Sequence, residues 1–144
     1  MTVHMLKLSV GSESFEDMIG YQTRRLEEAR RTGRLEVVTH HTRMMPRRRS
    51  KVLDGGSIYW VVKGVILCRN PVADLVPLVD EEGRRFCQIR YGPELVRVDP
   101  RPCRIFQGWR YLEPADAPRD LVPGEIDEAM PPRMAAELRA LGLI

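Results

Sequence analysis

Residues 57–69 read Ser-Ile-Tyr-Trp-Val-Val-Lys-Gly-Val-Ile-Leu-Cys-Arg, and this stretch decides the fold class. β-Branched and aromatic residues dominate it, which is typical of a strand buried in a sheet. Gly64 lies inside it, where a glycine indicates a bulge or a sharp bend of the kind that barrels use at their corners. The stretch therefore predicts one long, bent strand of a β-rich domain.

The segments that follow predict two more strands. Pro71 interrupts the apolar pattern, so residues 72–79 are predicted to form a separate strand. An acidic turn at 80–83 then leads into residues 84–91, where Cys87, Ile89 and Tyr91 alternate with Phe86, Gln88 and Arg90. This period of two predicts a hairpin partner for the preceding strand.

The segments before it predict a strand, a long helix, a second strand and a short helix. Residues 6–10 alternate in polarity, and residues 35–43 are rich in β-branched types, so both are predicted strands. Between them, Ser12 or Ser14 caps a helix that ends near residue 32, before Gly33. Its apolar stripe consists of Phe15, Met18, Ile19, Gln22, Leu26 and Ala29. A short helix starts at Pro46, runs to about Leu53 and is stopped by the glycine pair at 55–56.

Further strands are predicted at 95–98 and 105–112. Residues 113–132 are rich in proline and acidic side chains and are predicted to connect to a last helix at 133–141. With 144 residues, the chain fits one domain spanning residues 1–144. The pattern predicts an α+β fold with five to seven mostly antiparallel strands, arranged as a partly closed β-barrel with two or three flanking helices.

Composition excludes several classes of protein. No apolar run approaches the roughly 18–20 residues that span a membrane, and the N-terminus lacks the small-residue cleavage site of a secretory signal. The three cysteines (Cys68, Cys87 and Cys103) are far apart and odd in number, which argues against a disulfide framework and suits a reducing compartment. These features predict a cytoplasmic protein with no membrane partner.

Positive charge is concentrated in one part of the chain. The net charge is +3, yet residues 22–51 contain ten basic residues and only three acidic ones. Most of the basic residues are arginines, whose planar guanidinium suits phosphates, carboxylates and aromatic faces. A high-GC genome would raise the arginine share but would not cluster the charge. The cluster therefore favours an anionic partner.

Catalytic and metal-binding patterns are absent from the sequence. The glycine-rich residues 54–57 run from helix to strand, the reverse of the order that cradles phosphate at a helix N-terminus. His40 and His41 are neighbours on a predicted strand, so they point to opposite faces and do not chelate one metal together. No catalytic residue, metal ligand or cofactor is predicted.

Interleaved basic and aromatic residues are the best functional lead, because nucleic-acid surfaces combine phosphate-binding cations with stacking aromatics. The predicted anion-binding residues are Arg43, Arg47, Arg48, Arg49, Lys63 and Arg110, and the groove or stacking candidates are Tyr59, Trp60 and Trp109. In an extended 106–112 segment, Trp109 and Tyr111 would face the core, and Arg110 would reach a groove beside Arg43.

Three long strings carry a resemblance to a known family. They are Thr-Arg-Met-Met-Pro at 42–46, Leu-Asp-Gly-Gly-Ser-Ile-Tyr-Trp-Val-Val-Lys-Gly at 53–64 and Phe-Gln-Gly-Trp-Arg-Tyr-Leu at 106–112. On these strings the chain resembles DUF1489, a bacterial family of uncharacterised proteins, over nearly its whole length. The resemblance implies no activity.

A second resemblance concerns the order of elements. A short basic helix, then Leu53 and Gly56, then a long strand with a glycine bend is similar to the order in PUA-like domains, including the ASCH and EVE groups. Those domains are small β-barrels associated with RNA or modified bases. The ASCH string Gly-x-Lys-x-x-Glu-x-Arg has no match after Gly56, so no site residue is transferred.

The leading functional hypothesis is a nucleic-acid-binding module, for RNA, on a PUA-like barrel. A small enzyme or a binder of an anionic small molecule is the alternative, with Arg43, Lys63, Trp109 and Arg110 around its pocket. A third hypothesis is an adaptor that contacts a protein partner through the acidic segment at 113–132.

Overall fold

A computed structural model describes residues 1–104 and 106–122 of the chain. These residues form seven strands, two α-helices and one 3-10 turn. In chain order they are β1 (His4–Leu8), α1 (Phe15–Arg31), β2 (Val38–Thr42), α2 (Arg49–Leu53), β3 (Ser57–Val62), β4 (Val65–Val79), β5 (Arg85–Tyr91), β6 (Val96–Pro102), β7 (Trp109–Leu112) and the 3-10 turn Pro114–Asp116.

All seven strands belong to one sheet, in the order β2-β5-β4-β3-β1-β7, with β6 paired to β4 beside this path. Among the described strands, β1 and β3 run parallel, and the other pairs are antiparallel. The first half of β4 pairs with β3 and β6, and its second half pairs with β5. The predicted α+β class is confirmed. The sheet is not closed, so the predicted barrel is not confirmed.

Strand β3 is buried on both faces and separates two apolar clusters. Ile58, Trp60 and Val62 belong to the larger one, the helix-side cluster, which also contains Phe15 and Met18 of α1. The other face of β3 contributes to a smaller one, the opposite cluster, which consists of Leu6, Tyr59, Val61, Ile66, Val98, Phe106 and Leu112. A strand buried on both faces explains why residues 57–62 are almost uniformly apolar.

Helix α1 forms as its sequence predicts. The Ser14 hydroxyl accepts a hydrogen bond from the Asp17 backbone N–H at 3.1 Å, so Ser14 is the N-cap. Most of the predicted stripe is buried against the sheet, but Ile19 is exposed. The helix ends at Arg31, one residue from the predicted end.

Two interpretations of residues within the strands are wrong. Gly64 is not a bend within one strand, because Lys63 and Gly64 form the two-residue turn of a β3–β4 hairpin. Both residues have positive φ, 49° and 78°. A type I′ hairpin turn requires positive φ at both positions, and its twist matches that of the flanking strands. Pro71 does not interrupt β4 either. Pro71 pairs with Ser57 at the start of β3, and from Val72 onward β4 pairs with β5. The N–H that proline lacks therefore falls at the point where β4 changes its hydrogen-bonding partner from β3 to β5.

The beginning of the predicted connector is packed on the sheet. Backbone hydrogen bonds join Asp99 to Arg119 and Leu121 to Arg97, and Asp120 forms a bridge with Val98 of β6. The rest of residues 113–132 and the predicted helix at 133–141 lie outside the described residues. Among the described helices, none is long and apolar enough to cross a membrane.

Candidate functional site

The predicted arginine run at 47–49 is divided between structure and surface. Arg48 donates to Glu113 at 2.7 Å, and its guanidinium lies 5.1 Å from the centre of the Tyr111 ring. The Tyr111 hydroxyl accepts a hydrogen bond from the Arg48 backbone N–H at 3.0 Å. Arg48 therefore joins the start of α2 to β7. By contrast, Arg47 is exposed, and Nη2 of Arg49 lies 4.0 Å from Oδ1 of Asp74.

The aromatic candidates are mostly inside the protein. Tyr59 and Trp60 are each 4% exposed and lie in the opposite and helix-side clusters, respectively. Trp109 and Tyr111 are half-buried against the helix-side cluster, as the predicted alternation requires, with ring centres 4.9 Å apart. None of these four side chains offers an open stacking platform on the protein surface.

The four residues of the predicted small-molecule groove lie on three different segments of the described chain. Arg110 lies on β7 with its guanidinium 4.9 Å from the centre of the Phe106 ring. Arg43 follows β2, at the other end of the strand order, and lines a groove that includes none of the other three residues. Lys63 lies in the hairpin turn, 3.6 Å from a Glu13 oxygen.

A polar, partly aromatic surface lies on the side of the β2–β5 pair that faces away from the helix-side cluster. We call it the basic strand face; it consists of Thr39, His41, Phe86, Gln88 and Arg90. Its side chains contact one another: Arg90 donates to Gln88 at 2.8 Å, and the Gln88 amide nitrogen is 3.2 Å from Nε2 of His41. The His41 and Phe86 rings are 4.8 Å apart. Alternation along β5 exposes this row because Cys87, Ile89 and Tyr91 occupy the buried side.

Two arginine-lined grooves lie at the two ends of the basic strand face. The first has a volume of about 700 Å³ and contains Arg43, Arg84 and Arg85 with Asp80 and Glu81. The second has a volume of about 280 Å³ and contains Arg25, Arg34 and Arg90 with Glu28. Arginines outnumber acidic residues in both grooves. Of the predicted site residues, Arg43 is the one that belongs to this surface.

A separate cavity of about 640 Å³ opens on the helix side of the sheet, beside the start of α1. We call it the helix-side cavity. It is lined by Lys7 to Ser12, by the side of α1 between Glu16 and Arg24, and by His40, Trp60 and Tyr91 from three different strands. The Trp60 ring makes edge contacts with His40 at 6.1 Å and with Tyr91 at 5.6 Å between centres. Aromatic rings from three strands therefore form one wall.

A buried hydrogen-bond network holds this wall in place. The Trp60 indole N–H and the Gln22 amide both donate to Oδ1 of Asn70 at 2.9 Å. The Asn70 amide donates in return to Gln22 at 3.0 Å and to the backbone carbonyl of Glu94 at 2.9 Å. Asn70 is fully buried and Gln22 is 3% exposed. Full satisfaction of buried polar groups makes such a network rigid.

Lys7 and His40 are two half-buried titratable groups that line the cavity. Burial lowers the pKa of Lys7, because removal from water disfavours the ammonium form. Burial, together with the nearby Lys7 and His41, lowers the pKa of His40 to about 4. His40 is therefore a neutral imidazole at pH 7, beside a lysine.

The low pKa of His40 predicts a loss of stability in mild acid. The unfolded chain takes up a proton near pH 6.5 and the folded protein only near pH 4, so stability present above pH 6.5 is lost as the pH falls through this window. Allowing for solvent around this half-buried ring, we expect the loss to be about 1–2 kcal/mol. Urea unfolding at pH 7 and pH 4 should show a smaller difference for His40→Gln than for the wild type. Equal pH dependence in the His40→Gln variant and the wild type would contradict the assignment.

Sequence reasoning did not select Lys7. The alternation along β1 could have identified it, because Lys7 lies on the same strand face as the fully buried Met5 and on the opposite face from Leu6. Within the described residues no group of three or more His, Cys, Asp or Glu is placed to hold a metal ion. Cys68 and Cys87 are buried and Cys103 is partly exposed, and all three are free thiols whose pKa values burial raises.

Comparison with known proteins places the chain in a family. The family model described as "Protein of unknown function (DUF1489)" matches residues 5–144. The chain belongs to the DUF1489 family. Searches of curated proteins and of solved structures found no match. The description of DUF1489 assigns no activity, and the similarity to PUA-like domains stays a prediction.

Proposed function

We propose that this DUF1489 protein is a single-stranded RNA-binding module and that the basic strand face is its contact surface. The observation that carries the proposal is the position of Phe86 and His41 on a row of β2 and β5 that lies between two arginine-lined grooves and that no other described element covers. Bases of a single strand can stack on such side chains while arginines bind the flanking phosphates.

The state of the individual arginines supports the first groove most strongly. Arg43 and Arg85 are exposed, and neither makes an ion pair with a described residue, so both are available to a phosphate. Asp80 is occupied, since its carboxylate accepts backbone hydrogen bonds from Glu82 and Arg84 at 2.9 Å each. The acidic turn therefore uses one of its carboxylates internally, which reduces its repulsion of an anionic ligand.

The curvature of the sheet bears on the finer prediction of a barrel. The His40 ring of β2 lies 6.1 Å from the Trp60 ring of β3, although β5 and β4 separate these two strands in the sheet order. A sheet whose distant strands approach one another in this way is strongly curled. We propose on this ground that the fold is a partly closed barrel of the PUA-like kind.

Measurement of RNA affinity at two salt concentrations tests the function. A fluorescent 12-nucleotide RNA should bind the wild type, and its affinity should fall steeply as the salt concentration rises. The double variant Arg43→Gln/Arg85→Gln should bind about tenfold more weakly and should reduce the slope of log K against log salt by about 1.4, or 0.7 for each lost phosphate contact.

A matched control removes the same charge elsewhere. Arg31→Gln/Arg104→Gln alters two exposed arginines outside both grooves and lowers the net charge equally. It should keep the wild-type salt slope. The proposal fails if the wild type retains no RNA at low salt, or if the control loses as much affinity as the double variant.

A further inference from the structure

The helix-side cavity has the dimensions and walls of a small-molecule site. Its volume of about 640 Å³ lies within the range of roughly 300–1,000 Å³ that is usual for ligand pockets. Trp60 and Tyr91 line it with the small part of each ring that stays exposed, 4% and 3%, and Asn70 accepts a hydrogen bond from the Trp60 indole N–H at 2.9 Å. A flat, partly apolar ligand body suits these walls.

The polar groups that remain free in the cavity are few. Gln22, Asn70 and the Trp60 indole are satisfied by one another and offer nothing to a ligand. By contrast, the Lys7 ammonium and the His40 ring make no hydrogen bond or ion pair with the described residues. Behind the exposed charges of Glu16, Asp17 and Arg24, a ligand therefore meets the ammonium of Lys7 and the neutral imidazole of His40.

The unpaired lysine indicates the charge of that ligand. Lys7 is half-buried, and the shift of its pKa comes from burial alone, with no contribution from a carboxylate. An ammonium taken from water without a partner is costly, and an anionic group that binds it removes that cost. Lys7 lies opposite Trp60 in the β1–β3 register, so the anion would lie at the edge of the aromatic wall.

Charges at the cavity entrance favour a small ligand over a polymer. Glu16 and Asp17 are exposed and line the cavity together with Arg24. A polynucleotide would bring several phosphates near these two carboxylates, whereas a small molecule places a single anionic group beside Lys7.

We propose that the helix-side cavity binds a small planar aromatic anion of the nucleoside monophosphate class, with its phosphate on Lys7 and its base against the wall of Trp60 and Tyr91. This site is distinct from the basic strand face, and its occupancy does not depend on RNA binding. His40 is a neutral partner that donates or accepts one hydrogen bond to the ligand.

Calorimetric titration of the full-length chain tests this site. AMP, GMP, CMP and UMP are the probes, with adenosine and inorganic phosphate as partial ligands. At least one monophosphate should bind with a dissociation constant below 1 mM, on the order expected for a small charged ligand. Adenosine and phosphate should each bind at least tenfold more weakly than the monophosphate, because each lacks one half of the recognised structure.

Lysine variants locate the anion. Lys7→Met keeps the apolar stem and removes the charge, and it should weaken monophosphate binding at least tenfold while leaving RNA affinity unchanged. Lys51→Met is the matched control, since Lys51 is exposed on α2 and lines neither the cavity nor the grooves. Should Lys7→Met fail to fold, reductive methylation of the wild type decides instead: the monophosphate should slow the modification of Lys7 and not that of Lys51.

Three results would overturn the proposal. The first is the absence of binding by all four monophosphates at 1 mM. The second is undiminished binding by Lys7→Met or, in the methylation experiment, equal modification of Lys7 with and without the monophosphate. The third is a combined result: the folded Lys7→Met protein loses RNA affinity, and RNA displaces the monophosphate from the wild type. This result would show that RNA, and not a small molecule, binds in the cavity.

Discussion

Replacement of Asn70 by leucine is expected to lower the free energy of unfolding by about 3–5 kcal/mol. Leucine matches asparagine in shape but leaves the Trp60 indole N–H, the Gln22 amide and the Glu94 carbonyl without the partners that Asn70 provides. A buried polar group left unsatisfied costs about 1–3 kcal/mol, and Asn70 itself is fully buried. Urea unfolding followed by tryptophan fluorescence at pH 7 measures the loss.

The companion variants separate the network from simple packing. Gln22→Leu alone should cost less than Asn70→Leu, because Gln22 bonds to Asn70 alone among the described residues. The double variant should cost less than the sum of the two single changes, since the remaining unsatisfied amide is then removed. An Asn70→Leu protein within 1 kcal/mol of the wild type would show that the network does not stabilise the fold.

Replacement of Gly56 by alanine is expected to cost about 3 kcal/mol or more. A Cβ atom at this position would collide with the backbone carbonyl oxygens of Val3 and Val52. Those atoms cannot move independently, because Gly56 donates to Val52 at 2.8 Å and accepts from Val72 at 3.0 Å. Overpacking against fixed backbone forces strands and helix apart, which is among the most destabilising single changes.

A second glycine provides the control. No atom lies within 4 Å of a Cβ built on Gly92, and its φ is not positive. Gly92→Ala should therefore change the free energy of unfolding by no more than about 0.5 kcal/mol. Thermal and urea unfolding of both variants give the comparison, and a Gly56→Ala protein as stable as Gly92→Ala would contradict the close approach of β1, α2 and β3.

The glycine result also bears on the role of residues 54–57. Their order from helix to strand predicts a turn and not a phosphate loop, and the structure shows α2 ending at Leu53 and β3 beginning at Ser57. Gly56 is required because the chain just before β1 passes against this turn, with the Val3 backbone N–H donating to the Lys51 carbonyl at 3.2 Å. The need for glycine at 56 is thus a packing constraint on the fold.

Local patterns determined most of the elements correctly. The apolar stripe of α1 and its cap at Ser14 depend on residues that lie within one or two helical turns of each other. The alternation of Cys87, Ile89 and Tyr91 depends on residues of one strand. Because the residues of such a pattern are close in sequence, their types and spacing are enough to predict the element. The positions of Gly64 and Pro71 were interpreted wrongly for the complementary reason. A glycine with positive φ suits a bulge or a turn equally, and a proline ends a strand only where its N–H would be needed.

The candidate sites were beyond the reach of sequence because distant segments build them. Arg48 belongs to a basic run, yet its guanidinium is paired with the carboxylate of Glu113, sixty-five residues away. Lys7 belongs to the strand before α1 in the chain and His40 to the strand after it, and the fold brings both to the helix-side cavity. The sequence alone determined which faces of the helices and strands are apolar. The tertiary structure decided which charges are neutralised and which remain free, because that depends on partners that only folding brings within a few ångströms.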